Sequence, residues 1–206
     1  MKIYSIDNFR SNKKRASKIP EALFSISIDT GLVTSGICIL DLKLSTVKLL
    51  SLNTKENYIS SNFIENFTMS EIQINNYLQI FKDNNIDLSR TIFNIEHTVY
   101  NPEFSFSIGL NIFLTSLVKT LIGLNVLQIN LLPPRVTQYF LSEYKLKDSK
   151  IKKWVEYFLP MFYKDCKNAH IIDALLHSIF IHYDFYKQNF GINIKVPDKQ
   201  IIKILK

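Results

Sequence analysis

Two short apolar runs that meet at a turn constrain the fold of this chain more than any other feature. Residues 25–28 alternate serine with isoleucine and end on Asp29, and residues 35–40 supply a second run. Such runs, separated by Gly, Thr and Ser, predict a β-hairpin shaped by Gly31 and Gly36. A carboxylate at the end of a buried strand is costly, so Asp29 is a candidate site residue. The alternative is that Asp29 only opens the turn.

A second β-rich run, at residues 91–96, also ends on an acid, Glu96. A third strand at 47–52 completes an antiparallel meander, and residues 63–81 have helical spacing. Because this helix intervenes, the 91–96 strand is expected to lie parallel to the first strand of the meander. Parallel neighbours lie about 4.8 Å apart, which would place Asp29 and Glu96 side by side at one edge of the sheet. Ligands of α/β sheets gather at such edges.

The C-terminal half predicts further helices around one more strand. A helix over 106–121 is apolar nearly all round, which indicates burial on both sides, in the core or in a subunit interface. A strand at 126–131 follows, and helical pattern returns from Arg135 until Pro160 ends or kinks it. The sequence therefore alternates strands and helices, as in an α/β fold.

The last predicted helix carries a third group of titratable residues. Asn168 is a good N-cap, and His170, Asp173 and His177 follow at spacings of three and four, on one helix face. His170 and Asp173 are candidate site residues, with the alternative that His170 is a capping or surface histidine. His177 and His182 are interpreted as ordinary histidines without a role in the site.

Acids from two strands and a His-x-x-Asp pair from a helix suit Mg²⁺ or Mn²⁺ better than a zinc cage. A carboxylate shared by two such ions serves phosphodiester hydrolysis, and a histidine can bind metal or act on the attacking water. The formal net charge of +7 favours a polyanionic partner, either nucleic acid or an anionic membrane surface. Nucleic acid fits the candidate site better.

Length and composition predict one globular domain over residues 21–190, with a basic arm at 1–20 and a basic tail at 191–206. The sequence contains neither an apolar run of the roughly 20 residues that a membrane span needs nor the apolar core of a signal peptide. A soluble, intracellular protein is therefore expected. Cys38 and Cys166 lack the spacing of a disulfide framework or zinc site and are expected to be free thiols.

Three motifs in this order resemble those of the RuvC family of Holliday junction resolvases, within the RNase H-like nuclease superfamily, and more distantly the poxvirus resolvases. The motifs are Ile28-Asp29-x-Gly31-Leu32-x-x-x-Gly36, Ile95-Glu96-x-x-Val99 and His170-x-x-Asp173-Ala174. The resemblance implies an RNase H-like α/β fold. Its mixed five-stranded sheet would combine a three-strand antiparallel meander with two parallel strands, flanked by helices.

The resemblance also implies an activity. It suggests a Mg²⁺-dependent endodeoxyribonuclease, with Mn²⁺ as a substitute and two ions per site, that nicks branched DNA symmetrically as a homodimer. Asp29, Glu96, His170 and Asp173 would be the metal-binding catalytic set, with Asp29 as the bridging ligand. Lys150 would be the catalytic lysine of the family, although Lys147 and Lys152 are alternatives because the spacing slips by about two residues.

The DNA-binding residues implied by the resemblance fall in two segments. An aromatic loop after Glu96 would insert at the junction, and a lysine-rich stretch would contact DNA; internal packing of Phe104 and Phe106 and a solvated lysine face are the alternatives. These candidates are Tyr100, Phe104, Phe106, Lys145, Lys147, Lys152 and Lys153. The helix over 106–121 would form the dimer interface.

Two other functions stay open at this stage. One is a branched-DNA-binding protein of the same fold that does not cut, and the other is an actin-like or sugar-kinase ATPase, because Asp29-Thr30-Gly31 resembles its phosphate loop. The basic arm and the polar residues 53–62 depart from the compact family pattern. They leave a bacterial or phage host, a viral replication site and an organelle as alternative locations.

Overall fold

The structure is a computed structural model. It describes the backbone in the residue ranges given next. It also describes the side chains in these ranges, except those of residues 2–5, 63 and 105–107. The described ranges are 2–5, 22–31, 33–53, 63–97, 105–132, 136–147 and 150–196.

A mixed β-sheet forms the centre of the described structure. Its six strands, in the order β1-β6-β5-β2-β3-β4, are β1 (Lys2–Ser5), β2 (Phe24–Asp29), β3 (Thr34–Asp41), β4 (Thr46–Asn53), β5 (Thr91–Glu96) and β6 (Gln128–Leu132). Strands β2, β3 and β4 form the antiparallel meander, and β5 and β6 extend it in parallel from β2. The predicted mixed five-stranded arrangement is thereby confirmed.

The sixth strand is a difference from the prediction. The sequence predicts a basic arm over residues 1–20, but Lys2–Ser5 form β1 and pair in parallel with β6. A four-residue strand has no detectable periodicity of its own, so its pairing depends on a partner far along the chain. The remaining residues of the predicted arm lie outside the described part of the structure.

The helices lie on both faces of the sheet. They are α1 (Phe63–Asp83), α2 (Ser105–Gly123), α3 (Val136–Glu143), α4 (Ile151–Phe158) and α5 (Ala169–Phe190), with a short 3-10 turn at Leu88–Arg90. Helices α1 and α2 cover one face, whereas α5, with α3 and α4, covers the other. No described helix combines the length and apolar character that a bilayer span requires.

Alternation along the strands separates the two cores. In β2, Ile26 and Ile28 belong to the core beneath α1 and α2, so Ser25, Ser27 and Asp29 point to the opposite face, towards α5. The same alternation in β5 buries Phe93 and Ile95 beneath α1 and α2, and aims Asn94 and Glu96 towards α5. The two acids therefore share the α5 face of the sheet.

A buried polar network lies on this face, behind the acids. The Asn94 amide donates to the hydroxyls of Ser25 (2.9 Å) and Ser27 (3.2 Å), and Asn130 donates to the Asn94 carbonyl (2.7 Å). His182 on α5 contacts the Ser25 hydroxyl through Nε2 at 2.8 Å. His182, interpreted from the sequence as ordinary, is thus a buried residue that ties α5 to the sheet.

Helix α2 is less enclosed than its composition predicts. Leu110, Phe113 and Leu117 form a buried stripe, but Ile108 and Ile122 are 39% and 36% exposed. Within the single chain α2 packs on the sheet and α1 through one stripe, so the core does not enclose the helix, and burial of its other side in a subunit interface stays a prediction. Composition reports how apolar a helix is, but not how many neighbours cover it.

The two cysteines are free, as predicted, and both are buried. Burial raises the pKa of the Cys38 thiol to about 11 and that of Cys166 to about 12. Both thiols are therefore protonated and unreactive near neutral pH.

Candidate active site

Asp29 and Glu96 lie side by side at the ends of two adjacent parallel strands. The register pairs Ile28 of β2 with Ile95 of β5, so the two acids occupy the next rung of the sheet. Their side chains are joined by a hydrogen bond, and Asp29 is only 5% exposed. The topology therefore brings these two predicted site residues together.

The Glu96 carboxyl lies in an environment that disfavours its charged form. Burial, together with the charge of Asp29, a side-chain hydrogen bond with Asp29 and the charge of Asp173, raises the pKa of Glu96 to about 9. In the metal-free protein Glu96 therefore keeps its proton at neutral pH and donates it to Asp29. Such a cluster accepts a positive charge readily, because a cation would replace that proton.

Helix α5 delivers His170 and Asp173 to these acids. Its N-cap Asn168 accepts a hydrogen bond from the Ile171 amide at 2.9 Å, as the sequence predicts. His170 Nδ1 lies 2.6 Å from Asp29 Oδ2, and this hydrogen bond raises the pKa of His170, so a protonated Nδ1 donates to the carboxylate. One turn later, Asp173 Oδ1 accepts a hydrogen bond from the Thr137 hydroxyl on α3 at 2.5 Å.

The approach of α5 to the sheet depends on Gly36. This glycine pairs with Asp29 across β2 and β3, and a Cβ atom built on it would overlap the His170 carbonyl. Gly36 therefore lies within a strand and makes room for the helix, so the prediction that it shapes the hairpin is wrong. Gly31 does shape the turn, because a Cβ there would overlap the Thr34 carbonyl oxygen.

Hydrogen bonds from neighbouring elements hold the turn that follows Asp29. The buried Ser35 hydroxyl donates to the Gly31 carbonyl at 2.9 Å, and Gln73 on α1 donates to the same carbonyl at 2.6 Å. Thr30 donates to the backbone carbonyl of Glu96 at 3.0 Å, which ties the turn to β5. Sequence reasoning did not find Gln73, because nothing in a helical pattern marks a buried amide that faces a distant turn.

His177 is the site residue that the sequence interpretation missed. Its Nε2 lies 3.4 Å from Glu96 Oε2, and its side chain is 1% exposed. Burial lowers its pKa to about 4, so the imidazole is neutral at physiological pH. The signal was present in the spacing, because His177 follows Asp173 by four residues and therefore lies on the same helix face.

Comparisons with known proteins give similarity at the level of structure only. No protein-family model matches the sequence, and no curated protein matches it. RuvC from T. thermophilus, solved in complex with a Holliday junction substrate, is similar with a TM-score of 0.52 at 12% identity, over 81% of this chain and 95% of that one. The yeast mitochondrial Holliday junction resolvase Ydc2 is similar with a TM-score of 0.55 at 13% identity, over 86% of this chain and 85% of that one.

This chain has an RNase H-like fold. Without the added strand β1, the order of the sheet is 3-2-1-4-5, counted from β2. In this chain Asp29 and Glu96, at the ends of the first and fourth core strands, lie on the same side of the sheet as His170 and Asp173 of the last helix. At identities of 12% and 13%, these structural similarities establish the fold of the chain but not its activity or its partners.

The predicted lysines are not part of this cluster, and the predicted aromatic side chains lie outside the described part of the structure. Lys150 precedes α4 with an exposed side chain, and no described contact joins it to Asp29, Glu96, His170 or Asp173. The other lysine candidates, Lys145, Lys147, Lys152 and Lys153, are all exposed. Tyr100 and Phe104, and the side chain of Phe106, lie outside the described part of the structure.

The acidic cluster suits a divalent cation in its donor chemistry, although it is not pre-arranged around one. Within the described ranges, no group of three His, Cys, Asp or Glu side chains has the geometry of a ready-made metal site. The donors instead bond one another: Asp29 contacts His170 and Glu96, and Asp173 accepts from Thr137. Carboxylate oxygens such as those of Asp29, Glu96 and Asp173 are the donors that Mg²⁺ and Mn²⁺ prefer.

Proposed function

We propose that this protein is a structure-selective DNA endonuclease that resolves four-way junctions by metal-dependent phosphodiester hydrolysis. The observation that carries the proposal is the meeting of Asp29, Glu96 and Asp173 with His170 at one end of an RNase H-like sheet. The basic charge of +7 supports a nucleic-acid substrate. The two similar structures are of Holliday junction resolvases, and one holds a junction substrate.

The proposed ligands of the metal are Asp29, Glu96, His170 and Asp173. Two bound Mg²⁺ ions, or Mn²⁺ in their place, would activate a water and stabilise the leaving oxygen of the cleaved phosphodiester. Asp29 is the proposed shared ligand, because it is the residue that contacts both Glu96 and His170. With metal bound, Glu96 would lose its proton to solvent and bind as a carboxylate, and His170 would leave Asp29 free to bind and would itself serve as a ligand or act on the water.

The remaining parts of the proposal concern DNA and a second subunit. The aromatic segment with Tyr100, Phe104 and Phe106 is proposed to contact the branch point. Lysines at 145, 147, 152 and 153 are proposed to contact phosphates, and Lys150 to act beside the cleaved bond. The helix over 106–121 is proposed as the homodimer interface, which the exposed Ile108 and Ile122 support. A two-fold dimer suits a two-fold substrate.

The proposal is tested with a synthetic four-way junction and an Asp29→Asn variant. We expect Mg²⁺-dependent paired nicks from the wild type, a loss of at least about 100-fold in cleavage rate for the variant, and retained junction binding. Asp184→Asn is the matched control, because Asp184 is an exposed aspartate on α5 away from the cluster. Cleavage by Asp29→Asn at the wild-type rate would contradict the assignment of the site.

Two negative outcomes point to different functions. Junction binding without cleavage by the wild type, at any Mg²⁺ or Mn²⁺ concentration, would favour a branched-DNA-binding protein. Hydrolysis of ATP without nuclease activity would favour the kinase-like alternative. Sedimentation of the same preparations measures whether the active species is a dimer.

A further inference from the structure

We infer that His177 is a positioning residue that orients the Glu96 carboxylate towards the other acids of the site. This inference rests on the proposed function, because it concerns how one proposed metal ligand is held. It adds a residue that lies outside the three motifs of the sequence. The contact between His177 Nε2 and Glu96 Oε2, at 3.4 Å, is its starting point.

The position of His177 on α5 gives it access to Glu96 from the helix side. His177 follows Asp173 by one turn, so both side chains lie on the helix face that meets the sheet. Helix α5 thus reaches the cluster at successive turns, with His170 on Asp29, Asp173 on Thr137 and His177 on Glu96.

Packing alone does not explain an imidazole at this position. His177 is 1% exposed, and Leu175, Leu176 and Ile179 around it on α5 are fully buried hydrophobic residues. Its Nδ1 is buried and has no hydrogen-bond partner among the residues that the structure describes. Burying a polar atom without a partner costs free energy, so an aliphatic side chain would suit a purely structural position better. The other ring nitrogen of His177, Nε2, faces Glu96 Oε2 at 3.4 Å, which gives the imidazole a polar neighbour in the site.

Glu96 is held between two neighbours, and this sets what His177 can do. On one side its carboxyl bonds Asp29, and on the other Oε2 faces His177 Nε2. A donor at Nε2 holds one carboxylate oxygen, which leaves the other oxygen to face Asp29 and Asp173. Without that donor the carboxyl can rotate, and its oxygens lose the fixed direction that a metal ligand needs. Outer contacts of this kind typically change metal affinity by about 10-fold to 100-fold.

The test compares substitutions that keep or remove a donor at the Nε2 position. His177→Gln keeps an amide donor at about the reach of Nε2, whereas His177→Asn places its amide nearer to the position of Nδ1. His177→Leu removes both polar atoms. His182 provides the matched control through His182→Gln, because it is also a buried histidine of α5 but contacts Ser25 instead of an acid.

Binding of Mn²⁺, measured by titration calorimetry on the full chain without DNA, is the main readout. We expect His177→Leu and His177→Asn to weaken Mn²⁺ binding by about 10-fold or more, and His177→Gln to bind within roughly threefold of the wild type. Near-UV circular dichroism checks that each variant is folded. If His177→Leu does not fold, the Gln and Asn pair carries the comparison, because both keep a polar group of similar size.

The outcomes separate this inference from the proposed function. Wild-type affinity for Mn²⁺ in folded His177→Asn, or an equal loss in His182→Gln, would overturn the positioning role while leaving the nuclease proposal intact. Failure of the wild type itself to bind Mn²⁺ or Mg²⁺ would overturn the proposed function and the inference with it.

Discussion

Gly36 and His170 are in direct backbone contact: the carbonyl group of His170 occupies the space that a Cβ atom on Gly36 would need. Because Gly36 pairs with Asp29 in the sheet, this contact sets how closely the N-terminus of α5 approaches the acid. The 2.6 Å bond between His170 Nδ1 and Asp29 Oδ2 depends on that approach. A residue without a side chain is therefore part of what builds the site.

Replacing Gly36 with alanine tests this contact. We expect Gly36→Ala to lower the free energy of unfolding by about 1–3 kcal/mol, because the obstructing atoms belong to the backbone of α5 and cannot rotate away. Urea denaturation followed by circular dichroism measures the change. Gly123→Ala is the control, since nothing lies within 4 Å of a Cβ atom built there. Equal stability of the two variants would contradict the close approach.

The hydroxyl of Thr137 is expected to hold Asp173. Thr137→Val keeps the shape of the side chain but removes the 2.5 Å hydrogen bond to Asp173 Oδ1. We expect junction cleavage to fall by about 10-fold, and Thr137→Ser to restore most of it, because the serine hydroxyl can make the same bond. Thr46→Val, at an exposed position of β4, controls for the substitution itself. A fully active Thr137→Val protein would exclude this role.

Stability of the metal-free protein is expected to fall as the pH rises. The pKa of Glu96 is about 9 in the folded protein, against 4.5 for the free group. Between these two values the folded state holds a proton that the unfolded state has lost, so the free energy of unfolding falls as the pH rises from about 4.5 to about 9. The raised pKa of His170 acts in the same direction. The slope from one proton is at most about 1.4 kcal/mol per pH unit.

The measurement compares urea unfolding of the wild type, Glu96→Gln and Glu156→Gln between about pH 7 and pH 9, with a chelator present. This range lies above 6.5, so His177 and His182, whose pKa values fall to about 4, stay neutral in both states. Glu96→Gln should flatten the pH dependence, whereas Glu156→Gln, at an exposed position of α4, should retain it. An unchanged slope in Glu96→Gln would show that Glu96 does not hold the proton.

The polar network under α5 is expected to contribute substantially to stability. Asn94→Ala removes a hydrogen-bond partner of Ser25, Ser27 and Asn130 at once, and the buried Ser27 hydroxyl and Asn130 amide lose that bond while Ser25 keeps its contact with His182. We expect a loss of about 2–4 kcal/mol in the free energy of unfolding. Asn189→Ala serves as the control, because the hydrogen bonds of Asn189 are exposed to solvent. A loss no larger than that of Asn189→Ala would mean that water satisfies the network.

Much of the fold could be predicted from local patterns. The β2 to β4 meander, the parallel β5 and the N-cap of α5 follow from alternation, turn residues and capping preferences, which act over a few neighbouring residues. The same patterns located Asp29, Glu96, His170 and Asp173 at element ends. Strand β1 could not be predicted, because its four residues gain a partner only from β6, more than a hundred positions away.

The sequence by itself determined which residues could come together. Only the tertiary structure decided which contacts those residues make. Periodicity placed His177 on the helix face of His170 and Asp173, but its burial against Glu96 depends on how closely α5 packs on the sheet. The distance between α5 and the sheet is set by Gly36, where a side chain would overlap the backbone of the helix. The absence of that side chain matters only because a helix packs against this position. Local propensity acts along the chain, whereas close packing and buried polar contacts act between segments that only the folded structure brings together.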